Sequence, residues 1–170
     1  MSSKNAGTRK GFTLVELAVV IVIIGVLAAF GVPRFLKSVE RSKAAEAFQY
    51  LSAVRAAQER FLSKNGIYYA GTPDANGLYP DDANGETLDI TQSVPKYFTA
   101  GEITIDNTTP GDPLWEMQLT RVGGSSSYGS YTVTFTQDGF VDDIAKSSIV
   151  TYPEINPMGS SGDTAEPPAG

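Results

Sequence analysis

Residues 9–33 read RKGFTLVELAVVIVIIGVLAAFGVP. From Phe12 to Val32 every residue is apolar or glycine except Thr13 and Glu16. Those 21 residues, at about 1.5 Å each in a helix, span about 30 Å, the thickness of a bilayer's hydrocarbon core. A carboxylate at that depth is costly without a partner, so Glu16 requires an explanation. The run starts abruptly after a leader, Met1–Gly11, that carries Lys4, Arg9 and Lys10 and no acid. Such a leader stays in the cytoplasm, and the chain beyond Val32 then faces outward.

The wider composition narrows the chemistry. Among 170 residues there is no cysteine and no histidine, which excludes disulfides, thiolate metal sites and histidine-based catalysis. No enzymatic activity is expected. Charge is segregated along the chain. Residues 34–64 hold Arg34, Lys37, Arg41, Lys43, Arg55, Arg60 and Lys64 against three glutamates. Beyond residue 64, three bases face fifteen acids, a balance of −12. That surface repels nucleic acid, so no nucleic-acid partner is expected.

A basic leader before an apolar stretch fits a signal peptide or a plain membrane anchor. Neither accounts for Glu16. The segment KGFTLVE resembles the cleavage and methylation motif of type IV pilins and of the pseudopilins of type II secretion. The resemblance extends from Gly11 to about residue 70. It implies that a prepilin peptidase cuts after Gly11 and methylates the new amine of Phe12. It also implies that Glu16 neutralises the amine of a neighbouring subunit in a filament, and that Pro33 is a flexible point in the helix. The further partners implied are other copies of the chain, membrane lipid before assembly, and an inner-membrane platform driven by a cytoplasmic ATPase.

The residues and the resemblance together predict an α+β chain. Its parts are a cleaved leader (1–11), a transmembrane or filament-core helix (12–33), an amphipathic continuation (34–64), a head (65–157) and an exposed tail (158–170). The continuation places Ala44, Phe48, Leu51, Val54, Gln58, Phe61 and Leu62 at three-four spacing. Lys64 and then Asn65-Gly66 mark its end. A loop comes next in which Asp-Ala-Asn-Gly occurs at 74–77 and again at 82–85, with a turn of helix expected over 91–97. Alternation predicts strands over 102–106, 115–122 and 130–137, the last two linked by GGSSSYGS, and Phe140-Val141 extend or return the last one. A long helix packed on a small antiparallel sheet is also the ladle shape of pilins that the resemblance implies.

Pilins often close the head with a disulfide, which this chain lacks; the resemblance to pseudopilins raises calcium in its place. Asp138, Asp142 and Asp143 are the candidate ligands, with Asp81, Asp82 and Glu86 in a second acidic stretch, though neither fits an EF-hand and surface carboxylates explain both. The expected function is a structural subunit of a type IV pilus. The alternatives are a major pseudopilin of type II secretion, and a membrane-anchored periplasmic or surface binding module that never polymerises. The expected location is the inner membrane before assembly, then an extracellular pilus or a periplasmic pseudopilus.

Overall fold

Helix α1, Leu14–Asn65, is the longest element of the computed structural model, which describes residues 11–75, 77–80, 85–106, 115–123 and 128–159. The leader up to residue 10, residues 81–84 with Asp81, Asp82 and most of the second Asp-Ala-Asn-Gly, residues 124–127 and the tail from 160 lie outside the described residues. The helix ends where expected: Gly66 has φ +76° and its N–H donates to the Leu62 carbonyl at 2.8 Å. That left-handed residue costs glycine little and satisfies a terminal carbonyl.

The chain divides into two units, Met1–Leu36 and Lys37–Gly170. In the first, every described side chain is exposed. Among the described residues α1 is the one helix long and apolar enough to cross a membrane. Such surface is stable in lipid or against other apolar helices and not in water.

In the second unit, α1 turns amphipathic. Ala44, Ala47, Leu51, Val54, Ala57 and Phe61 are buried against the sheet side, while Arg41, Arg55 and Arg60 are exposed. The sheet is an antiparallel meander in the order β1-β2-β3-β4: β1 Phe98–Thr104, β2 Glu116–Arg121, β3 Thr132–Thr136 and β4 Gly139–Phe140. Strand β1 begins four residues before the expected 102, because a bulge between Ala100 and Ile103 breaks its alternation. Gly101 sits in that bulge, and a Cβ there would lie 2.7 Å from the Gln118 carbonyl oxygen of β2. The helical turn expected over 91–97 is absent. Pro95 disfavours helical geometry in the residue before it, and the segment is irregular up to a turn at 96–97. The first Asp-Ala-Asn-Gly is a turn as read: the Gly77 N–H donates to the Asp74 carbonyl at 2.9 Å, and Leu78 N–H to Asp74 Oδ1 at 2.9 Å.

Burial on β3 runs through four consecutive residues, Val133 to Thr136, where alternation leads one to expect an exposed side. The cause is the C-terminal segment around the short 3₁₀ turn Ser148–Thr151. Strand β4 pairs only with Phe135 and Thr136. Ser148 Oγ accepts from the Thr132 N–H at 2.9 Å and Ser147 Oγ from the Thr134 N–H at 3.0 Å. The Lys146 carbonyl accepts from both threonine hydroxyls and from Gln118 Nε2. Two serine side chains therefore continue the ladder where the edge strand stops.

The core gathers Trp115, Met117 and Leu119 of β2 and its approach, Ile103, Val133, Ile149 and Ile155. Gln58, fully buried, forms a two-way amide pairing with Tyr69 at 2.9 Å in each direction, which fastens the loop to α1. Tyr50 is a poorer fit. Its hydroxyl is buried without a hydrogen-bond partner, and burial pushes its pKa up to about 12. Tyr50→Phe removes that unmet group and is expected to raise head stability by about 1 kcal/mol, read as a higher thermal midpoint.

One polar cluster crosses the core. Glu40 of α1 and Arg121 of β2, each 3% exposed at the side chain, pair through Nε–Oε1 at 2.6 Å and Nη2–Oε2 at 3.3 Å. Tyr131 donates to the same carboxylate at 3.2 Å and Lys43 at 3.1 Å. Burial and the charge of Glu40 push the Tyr131 phenol up, so it remains a donor. Arg121 Nη1 also donates to the Val122 carbonyl and, at 3.4 Å, to that of Tyr97.

Candidate assembly site

The segment Thr13-Leu14-Val15-Glu16 builds the start of α1. The N–H and hydroxyl of Thr13 both donate to Glu16 Oε2 at 2.8 Å, and the Glu16 N–H donates back to Thr13 Oγ1 at 3.2 Å. This is a reciprocal capping box: a threonine N-cap with a glutamate three residues on, satisfying two otherwise orphaned donors. The negative carboxylate also complements the positive end of the helix dipole. Glu16 thus has a partner within its own chain. The Thr-x-x-Glu spacing carried that signal, and Thr13 is the residue that sequence reasoning missed.

Around this cap the chain is open. A Cβ at Gly11 would meet nothing within 4 Å, and Phe12 is 83% exposed. The Gly11–Phe12 peptide is thus open among the described residues, with Glu16 four residues beyond Phe12. Pro33 lies inside α1, which continues through it. The ring supplies no N–H to the carbonyl of Ala29, so one rung of the helix ladder is missing there.

The acidic candidates fare differently. Among the described residues there is no group of three or more Asp and Glu placed to hold a metal ion. Asp138, Asp142 and Asp143 are not brought together as such a group. Asp143 Oδ1 accepts from the Ala145 N–H at 2.8 Å, and Asp138 Oδ2 from Gln137 Nε2 at 3.2 Å. The Asp143 contact is an Asx turn of the kind short carboxylates commonly make.

Comparison with known proteins bears on the same segment. Residues 7–32 match the family described as the prokaryotic N-terminal methylation motif. The N-terminal region is similar to that of type IV pilins. The chain is 48% identical over 59 residues to the type IV major pilin protein PilA of Myxococcus xanthus, covering 35% of this chain and 27% of that one. Against the type IV narrow pilus major component PilA5 of Thermus thermophilus it is 52% identical over 78 residues, 46% of this chain and 64% of that one. Against the type IV major fimbrial protein FimA of Dichelobacter nodosus it is 32% identical over 108 residues, with 62% and 61% covered. The chain thus spans less than two thirds of the length of these pilins. The matched motif lies at the start of α1 and just before it.

Proposed function

We propose that this chain is a structural subunit of a type IV pilus, made as a precursor, cut between Gly11 and Phe12 and methylated at the Phe12 amine. The observation that carries the reading is an exposed apolar helix surface around the whole circumference from Leu14 to Val32, interrupted by one carboxylate close to an open Gly-Phe peptide. Lipid solvates that surface in the monomer, with the leader in the cytoplasm and the Lys37–Gly170 unit outside. In the filament the apolar helices of other copies replace the lipid. The capping box gives Glu16 a partner before assembly; the neighbour's Phe12 amine becomes its stronger, charge-bearing partner afterwards. Pro33 supplies a point where α1 yields during packing. A prepilin peptidase, an assembly platform and a cytoplasmic ATPase complete the pathway. The naming of relatives as major pilins supports a pilus over a secretion pseudopilus.

Mass measurement of the N-terminal peptide from native membranes tests this. The expected chain starts at Phe12 and carries one added methyl group. A chain that starts at Met1, or one cut beyond the apolar run, overturns the reading in favour of a fixed anchor or a secreted domain.

A further inference from the structure

Three cations converge on one aromatic ring in the Lys37–Gly170 unit. Lys43 Nζ lies 4.6 Å from the Tyr97 ring centroid, the Arg121 guanidinium 5.4 Å and Lys96 Nζ 5.8 Å. Glu40 offsets two of them, bonded to Lys43 and Arg121. Lys96 is exposed, and so is 39% of Tyr97. Two of the three bases beyond residue 64 are spent on this spot, in a region whose balance is strongly acidic. The third, Lys146, is engaged by Glu116.

The opposite charge sits on the opposite edge of the sheet. Lys96 and Tyr97 lead directly into β1, the first strand in the order, while Asp142, Asp143 and Ile144 come just after β4, the last. Three strand spacings separate those edges by about 14 Å. Asp142 and Asp143 are exposed, and Ile144 is 63% exposed, a large apolar side chain between acid and solvent. Glu102, the acid on β1, lies towards the far end of that strand from Tyr97.

We infer that these two edges bind one another between copies: the Lys43–Lys96–Tyr97 patch of one head receives Asp142-Asp143-Ile144 of the next. Charge complementarity selects a second copy of this chain as the partner, with Ile144 covering the exposed Tyr97 ring. Because the two patches differ and lie on opposite edges, the contact is head-to-tail and can repeat from copy to copy, as a filament requires. This inference rests on the filament reading and names a contact within it.

The absence of cysteine makes the test direct. Full-length chain carrying Lys96→Cys and Asp142→Cys together is expected, on mild oxidation of native filaments, to give a ladder of covalent oligomers. Each single variant alone is expected to give none, and a mixture of the two to give dimers. Lys96→Glu or Asp142→Lys alone should lower sheared filament yield about ten-fold through like-charge contact, and the two combined should restore it. Normal filaments without the ladder overturn the contact while the filament reading stands, and so do dimers from Lys96→Cys alone, which indicate a symmetric contact. A processed, unsubstituted chain that forms no filaments overturns both.

Discussion

Arg121→Met is expected to destabilise the head by about 3–5 kcal/mol, because it leaves the carboxylate of Glu40 buried without its main counter-charge. Glu40 cannot turn to solvent, being 2% exposed, and Lys43 and Tyr131 supply only part of what Arg121 gives. Unfolding is read from the single tryptophan, Trp115, which is fully buried against the sheet core. The double variant Glu40→Leu with Arg121→Met should recover most of the loss, since apolar replacements of a whole buried pair are commonly neutral or better. A loss in the double variant as large as in the single one would mean that shape, and not charge, is what Arg121 provides.

The same pair predicts an acid dependence. Burial pulls the Glu40 carboxyl upward, but hydrogen bonds from Arg121 and Lys43 and their charges outweigh it and hold the group below its usual 4.5. The folded state therefore binds fewer protons than the unfolded one. The stability this contributes is fully present above about pH 4.5 and is lost as pH falls through the lowered folded value. Stability curves of the chain and of the double variant should lie close above that pH, and the chain's should fall below the double variant's as the pH drops further.

The second large effect concerns Glu16. Glu16→Leu and Glu16→Gln are both expected to leave a membrane-inserted, processed chain and to lower filament yield by about ten-fold or more, measured on sheared surface protein. The glutamine variant separates two roles. Glutamine serves in a capping box as glutamate does, so the hydrogen bonds with Thr13 survive while the charge is removed. If Glu16→Gln assembles normally and Glu16→Leu does not, Glu16 acts as a helix cap and the pairing with a neighbour's amine is wrong. If both assemble normally, the carboxylate plays no part in assembly and is tolerated because Thr13 and the helix end hold it.

Local pattern carried much of this. The span, the helix end at Asn65-Gly66, the turn at Asp74–Gly77 and the approximate positions of β2 and β3 all depend on residues close in the chain, where periodicity and turn chemistry operate. Strand β1 was harder, because its bulge at Gly101 breaks the alternation by which a strand is recognised. The run 91–97 is irregular because Pro95 and the Thr, Ser and Val before it are poor helix formers. Asp138, Asp142 and Asp143 suggest a metal by type and proximity, but ligation depends on where oxygens point, which spacing along the chain does not give; here Asp143 accepts from the Ala145 N–H and Asp138 from the Gln137 side chain.

By itself the sequence determined the membrane-length apolar helix, its single carboxylate and the helix end at Asn65-Gly66, because each is written in residues close along the chain. Only the tertiary structure decided that Glu40 faces Arg121, that Ser147 and Ser148 complete the edge of β3, and that Lys43, Lys96 and Arg121 meet around Tyr97. Those groups lie far apart along the chain, and no local propensity encodes their meeting. The closing of the sheet over α1 brings them within hydrogen-bonding reach, and burial then makes each of their bonds count.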